Sequence, residues 1–479
     1  MKKICAALTV LLVATSIRAE QSVEEWQVDH SIIPEALAEQ AILLRERALI
    51  DNLSVDIVES LTTEVGARRA GTEGDRRSVA WALAKFEALG FDRAWVEEFE
   101  IDYGWVRGET NVEILAPYPH SLVATALGYS VGTNGDLVGE VVEFPTFDDL
   151  LAVPEGDSLA GKIVFVSFSM ADYVPPEGSR RGGYGEGTRA RGRGHVEAAK
   201  RGAEAIVIRS VGTDNNRDGH TGGGYGYEDG VRRIPAAALS APDAILLQNM
   251  LKRGGPVSLK LNMTSEVTGP ITSANVIGEI TGREGSDNYL VMGAHLDSWD
   301  EGTGAIDDGA GVGSMMAAAA MIGQMEQRPR RSIRVLLFGA EEIGLIGVRR
   351  YAERHQAEIS NHLLGAEVDS GGGRVHTLTS GVSEAALPVV REMHRLIAPL
   401  GIAWNDANDA LGASDMSVLG RAGMPALNFS QNSNDYFHYH HTPNDTFDKI
   451  IPEDMRYLTA AYATIFFLAA EMDIDFTRD

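Results

Sequence analysis

The chain has 479 residues, 44% of them hydrophobic, which suits two or three domains with sizeable cores. Forty-two Lys and Arg stand against 68 Asp and Glu, and a formal charge of -26 repels nucleic-acid phosphates and anionic membrane surfaces, so neither is an expected partner. The single cysteine, Cys5, sits near the start, so the mature chain is expected to lack disulfides and to hold any metal by imidazole and carboxylate.

Residues 1–19, "MKKICAALTVLLVATSIRA", join two lysines to an apolar run from Ile4 to Ile17 and a small residue, Ala19. That is the pattern of a cleaved secretory leader, too short for a membrane anchor, and it predicts a secreted or periplasmic protein. From Ser31 to about Leu61 apolar residues recur at helical spacing, and "EGDRRSVAWALAKFEALGF" repeats the pattern before Gly90 stops it. These helices are assigned to a first domain made of residues 20–116 and 270–479. Between them, residues 117–269 change texture to β-branched runs such as "LVGEVVEF", "GKIVFVSF" and "AEAIVIRS", which predicts an inserted β-rich domain. Its Arg- and Gly-rich stretch from Pro175 to His195 is expected to be a long, solvated, flexible loop.

After Thr272 apolar strands alternate with helices: "NYLVMGA", "GAGVGSMMAAAAMIGQME", "SIRVLLFGA", "GLIGVRRYAERH", "HLLGAEVD", "EAALPVVREMHRLIAPLG". The expected fold is α/β, with a mostly parallel mixed sheet between two helical layers. In such sheets ligands gather beyond the carboxyl ends of the strands. His295 and Asp297 follow the first of these strands, Glu341 and Glu342 the second, and Asp369 ends the third, while "YFHYHHTPNDT" lies in the loop before the last helix.

Imidazoles and carboxylates converging without thiols suit a borderline divalent ion such as zinc, or two such ions if one carboxylate bridges. Two adjacent glutamates after a strand point in different directions, so one can bind metal while its neighbour serves as general base. Asp297, two residues after His295, is cast as the carboxylate that orients a metal-binding imidazole.

The stretches "HLDSWDEGTGAIDDGAG", "GAEEIGLIG", "AEVDSGGG" and "YHHTPNDT" resemble the four metal-site motifs of the co-catalytic zinc aminopeptidase and glutamate carboxypeptidase family. The likeness extends through "VEAAKRGAEAIVIRSV" and "HTGGGYGYEDGVRRIP" into the middle segment, which resembles a protease-associated type of insert. The resemblance implies two Zn2+ ions per chain, with His295 and Asp369 on one, Glu342 and His441 on the other, and Asp307 bridging. It makes Glu341 the general acid/base and Asp297 the orienter of His295. The family spacing selects Asp307 over Asp308 and, through Asp445, His441 over His440. His440 keeps two readings, donor to a substrate oxyanion or simple packing. Asp415 is read as a helix cap, with a place near the metals as the alternative. Asp300, Glu301 and Asp308 are left as loop carboxylates, and His355, His362, His394 and His438 as structural. The implied activity is that of an exported di-zinc exopeptidase cutting short peptides or dipeptides with free termini, with a homodimer expected by analogy. Alternatives are a broad-specificity aminopeptidase, a glutaminyl-cyclase-type aminoacyl transferase, and a binding ectodomain that has lost catalysis.

Overall fold

Eight strands form the first sheet: β1 (Arg93–Ile101), β2 (Ile271–Ile280), β3 (Tyr289–His295), β4 (Ser332–Phe338), β5 (His362–Glu367), β6 (Val375–Gly381), β7 (Ala403–Asn405) and β8 (Ala426–Gln431). Their spatial order is β1-β2-β4-β3-β5-β8-β6-β7. Pairing is parallel from β4 through β3 and β5 to β8, and again between β6 and β7. It is antiparallel for β1 with β2, β2 with β4, and β6 with β8. These coordinates are a computed structural model that describes residues 28–171, 182–223, 226–433 and 435–477. The expected leader, 1–19 with Cys5, lies outside the described residues.

Alternation along the strands builds the layers. β3 turns Leu290, Met292 and Ala294 to one face and Tyr289 and Val291 to the other, and β4 likewise divides Ile333, Val335 and Leu337 from Leu336 and Phe338. Helices Glu35–Ala48, Leu53–Ser60, Ala310–Gly323 and Pro452–Glu471 bury their apolar residues on the first face. Helices Ile346–Arg354 and Met416–Arg421 cover the second, so the expected three layers are present. Helix Ala310–Gly323 is buried from Ala310 to Ile322, and its Ala, Met and Gly composition, apolar all round, fits that position. No helix among the described residues is long and apolar enough to cross a membrane.

A second eight-stranded sheet runs in the order His120–Leu122, Thr110–Ala116, Ser258–Met263, Leu137–Phe144, Lys162–Val166, Ala205–Arg209, Ala236–Leu239, Ala124–Ala126. It therefore takes in Thr110–Ala116, ahead of residue 117. The chain leaves the first sheet at Ile101 and re-enters at Ile271, and these two residues are register partners in the β1–β2 pair.

Part of the expected flexible loop is helix. Residues Tyr184–Lys200 form a helix against the second sheet, which corrects the loop assigned to Pro175–His195 over its second half; 175–181 lie outside the described residues. A Cβ on Gly187 would lie 2.9 Å from Val211 Cγ1, and one on Gly194 2.8 Å from Ile206 Cδ1. Those glycines serve close helix-to-sheet contact rather than freedom of the chain.

Asp300 and Glu301 are not free loop carboxylates either. Arg107 Nε donates to Asp300 at 3.1 Å and Arg107 also pairs with Glu301 at 3.2 Å, while the Thr125 hydroxyl donates to Glu301 at 2.7 Å. Arg107 further reaches Thr125 at 2.8 Å and Thr221 at 3.2 Å, so this cluster joins the first sheet's loop to the second sheet.

Candidate metal centre

Three neighbouring strands of the first sheet deliver the acidic and imidazole groups at their carboxyl ends. His295 is the last residue of β3, Glu341 and Glu342 follow β4, and Asp369 follows β5. Asp307 comes from the turn after β3, and His440 and His441 follow the short helix Tyr436–Tyr439. All of them are buried or nearly so. Among the described residues two donor groups draw together, His295 with Asp307 and Asp369, and Asp307 with His440 and His441.

Asp307 stands between the two histidines. His295 Nε2 lies 3.0 Å from Asp307 Oδ1 and 3.6 Å from Asp369 Oδ1. His441 Nε2 lies 3.2 Å from Asp307 Oδ2 and 2.9 Å from Glu342 Oε2. Two ligands of a tetrahedral zinc at bonds of ~2.0–2.1 Å stand roughly 3.3 Å apart, so these spacings fit an ion at each end with Asp307 shared. Asp307 Oδ2 and Glu342 Oε1 are buried without a hydrogen-bond partner, as expected of atoms aimed at an ion.

His440 also approaches Asp307, with Nε2 3.5 Å from Oδ2. It stacks on His441 with ring centroids 3.6 Å apart, and its Nε2 is 3.4 Å from the Tyr184 hydroxyl. Of the two, His441 lies nearer Asp307 and pairs with Glu342. Burial, followed by the neighbouring His441 and Arg191 charges, holds the His440 pKa well below the usual imidazole value, so it is neutral with one N–H to give.

The orientation of each group has an identifiable cause. His295 Nδ1–H donates to the Asp297 carbonyl at 3.0 Å, which turns Nε2 toward Asp307 and Asp369. The Asp297 carboxylate, 3.7 Å from the same nitrogen, chiefly accepts the backbone N–H groups of Glu341 at 2.9 Å and Glu342 at 3.4 Å. One residue thus aims the imidazole and pins both glutamates. Glu341 lines the same cleft, about 270 Å³ in volume, and the Ser414 hydroxyl donates to its Oε1 at 2.9 Å. Burial pushes the Glu341 carboxyl well above its usual range, reinforced by Asp369, Asp415 and Glu342 against the opposing pull of His295.

Two sequence expectations are corrected beneath the centre. Asp308, read as a loop carboxylate, is fully buried and accepts the His295 N–H at 3.2 Å and the Gly311 N–H at 3.0 Å. Asp415 makes no capping bond, because its own φ of -57° and ψ of -48° are already helical. It is fully buried with both carboxylate oxygens unpartnered, and burial raises its pKa well above normal with Glu367 adding to the rise.

Sequence reasoning missed several supports. Asp445 accepts the N–H groups of Ala305 and Ile306, both at 2.7 Å, and of Asp307 at 3.2 Å, and so holds up the bridging turn. Arg68, wholly buried, donates to the carbonyls of Leu296, Thr303 and Gly304 in the loop between His295 and Asp307. From a loop between two strands of the second sheet, Thr221 N–H donates to the His441 carbonyl at 2.9 Å and the Thr221 carbonyl accepts His441 Nδ1–H at 3.2 Å. His220 Nδ1 donates to the His440 carbonyl at 2.8 Å, with Nε2 anchored on Asp214 at 2.7 Å. His441 needs that clamp, because its φ of 63° is a left-handed conformation that non-glycine residues seldom adopt. Gly222 has to be glycine for the same approach, since a Cβ there would stand 2.5 Å from His441 Nδ1. Of the histidines read as structural, His362 bonds Tyr351 at 3.0 Å, His394 the Ile402 carbonyl at 2.8 Å and His355 Glu97 at 2.9 Å, while His438 faces Asp435 at 3.7 Å.

Known proteins resemble this chain over most of its length. The family model of peptidase family M28 matches residues 275–465. Mouse carboxypeptidase Q (Mus musculus) is 31% identical over 440 residues, 92% of this chain and 90% of the relative, and the human protein (Homo sapiens) is also 31% identical, over 88% and 86%. The crystal structure of a peptidase M28 precursor from Shewanella amazonensis SB2B is 44% identical, with a TM-score of 0.87 over 92% of this chain and 98% of the other. A zinc aminopeptidase from Bacillus subtilis, 19% identical with a TM-score of 0.64 over 89% of this chain and 97% of the other, shares the fold.

Proposed function

Because the chain belongs to peptidase family M28 and is a metallopeptidase, we propose that it is an exported di-zinc exopeptidase that hydrolyses short peptides with free termini, with Glu341 as general base. The observation that carries this reading is the sharing of Asp307 between His295 and Asp369 on one side and Glu342 and His441 on the other, with Glu341 lining the same cleft.

His295, Asp369 and Asp307 would hold one zinc, and Glu342, His441 and Asp307 the other. Bound there, the pair supplies Lewis acidity that makes water a nucleophile at neutral pH and polarises the scissile carbonyl. Glu341, in the same cleft, takes the proton from the attacking water and returns it to the leaving amine. Ser414 holds the Glu341 carboxylate in place, and Asp297 fixes the backbone from which it projects. His440, neutral and 3.4 Å from the Tyr184 hydroxyl, offers its N–H to the oxyanion that develops on the carbonyl. The leader expected at 1–19 supports export.

Glu341→Gln tests the assignment. Turnover of a free dipeptide should fall about 10³-fold, within the range for losing a general base, while the preparation still binds two zinc ions per chain by elemental analysis. Hydrolysis at an undiminished rate refutes the role of Glu341, and a content of one zinc refutes the paired centre.

A further inference from the structure

The segment from 102 to 270, which carries the second sheet, leaves and rejoins the first sheet at one place. Ile101 and Ile271 are register partners, and just beyond them Gly104–Val106 pairs with Glu266–Thr268 in a ribbon of three residue pairs. A body attached through one short ribbon swings about it unless contacts farther along hold it down. One seam of such contacts runs beside the candidate centre. Thr213 N–H donates to the Phe437 carbonyl at 3.1 Å, His220 Nδ1–H to the His440 carbonyl at 2.8 Å and Thr221 N–H to the His441 carbonyl at 2.9 Å, while Asn444 Nδ2–H donates to Asp218 at 2.6 Å. All four partners on the first-sheet side lie between Phe437 and Asn444, in the stretch that presents His441.

His441 itself faces two ways. Its Nε2 looks at Asp307 Oδ2 and Glu342 Oε2, at 3.2 Å and 2.9 Å, both carried by loops of the first sheet. Its Nδ1 and its carbonyl are bonded to Thr221. An ion held by Asp307, Glu342 and His441 would therefore join the acids of the first sheet to a residue fastened to the second. His295 spans no such joint, because Asp297, Asp307, Asp308 and Asp369, the groups around it, all belong to the first sheet's own loops. The left-handed φ of 63° at His441 ties the two sides together. Thr221 and an ion at Nε2 both select that strained conformation, so each favours the binding of the other, and a coupling of this kind is reciprocal by necessity.

We infer that zinc at the Glu342–His441 end is the latch of the second sheet: with that ion bound, the segment 102–270 is held against the first sheet, and without it the segment swings on its ribbon and opens the cleft. This rests on the paired centre proposed above. The helix Tyr184–Lys200 supplies one wall of that cleft, so a chain carrying zinc at the His295 end alone has an open and incomplete site. The second ion then governs activity by closing the site, and the enzyme answers to the supply of zinc.

The test follows amide hydrogen exchange of the full chain as zinc is added to metal-free protein. The N–H groups of Thr213 and Thr221 report the seam, since each donates across it, and those of strand Ala205–Arg209 report the interior of the second sheet. Zinc should slow exchange at Thr213 and Thr221 by roughly fivefold to 150-fold, the usual span of a coupling between two sites, and leave Ala205–Arg209 unchanged. His295→Ala, which keeps the latch end, should retain this slowing, and His441→Ala should lose it while still binding zinc. In reverse, Gly222→Val in the His295→Ala background sets a Cβ 2.5 Å from His441 Nδ1 and should weaken the remaining zinc by a factor within the same span. No effect of zinc on Thr213 and Thr221 in the wild type, or an equal effect in His441→Ala, overturns the inference. A wild type that takes up only one zinc refutes the paired centre; if that ion still slows the two amides and needs His441 to do so, the latch stands without its twin. Should His441→Ala not fold, His441→Gln takes its place.

Discussion

The two ends of the candidate centre are built in different ways. His295 and Asp369 sit at the ends of adjacent strands of the first sheet, and the partner that turns His295 is the carbonyl of Asp297, two residues along the same chain segment. At the other end, His441 stands in a strained turn whose hydrogen-bond partners, Thr221 and His220, come from the loop between strands Ala205–Arg209 and Ala236–Leu239 of the second sheet. One end is a product of the sheet it grows from. The other is complete only when two sheets meet, which makes their joint part of the chemistry.

That contrast can be tested where the sheets join. Arg107→Met leaves Glu301 without its cation and Asp300 with Arg69 alone, in a half-buried cluster, and should cost about 2–4 kcal/mol in chemical unfolding. A loss below experimental error would mean that the two sheets are joined by something other than this ion cluster.

Acid should weaken both regions through one buried histidine each. Burial holds the folded-state pKa of His195, beside the second sheet, and of His362, on β5, at about 4 against 6.5 for a free imidazole. The unfolded chain therefore takes up protons first, so this stability is whole above about pH 6.5 and is lost progressively down to about pH 4. Urea unfolding of metal-free protein at pH 7 and pH 5 should show each of His195→Gln and His362→Gln reducing the acid-induced loss by about 2 kcal/mol. An unchanged pH dependence in either variant would assign the acid sensitivity to other groups.

The smallest effect should also be the most selective. His220→Asn removes the ring that spans Asp214 and the His440 carbonyl, and zinc affinity at the Glu342–His441 end should fall roughly tenfold, the effect of losing an outer-shell partner. The His295–Asp369 end should keep its affinity in the same chelator competition. Equal weakening at both ends would mean that His220 supports the two ends alike.

The first sheet was readable because its signals are local. Unbroken apolar runs separated by helices gave β3, β4 and β5, and the polar residues just past their ends gave His295, Glu341, Glu342 and Asp369. The choice between Asp307 and Asp308 needed the family spacing, since adjacent carboxylates carry no local label. The sequence did not reveal that Asp308 turns under His295, because that depends on tertiary burial. The helix Tyr184–Lys200 was missed because its four glycines cost up to about 1 kcal/mol each in helix propensity, a deficit made good only by packing on the second sheet. Asp415 was misread because a cap is inferred from position, whereas its dihedral angles place it already inside the helical turn. The clamp on His441 was invisible for a simpler reason: Thr221 and His220 are some two hundred residues from it in sequence.

The register of β1 with β2 has a consequence for how such a molecule assembles. Since Ile101 and Ile271 are paired, everything from residue 102 to 270 is in effect one very long hairpin loop on the edge of the first sheet. The entropy of closing a loop grows only as the logarithm of its length, about 0.6 kcal/mol for each doubling, so a whole sheet can be carried there at little cost to the edge pair. The pairing of edge strand β1 with β2 thus ties both ends of the insert that carries Thr221 to the sheet whose neighbouring strands place the acids of the centre.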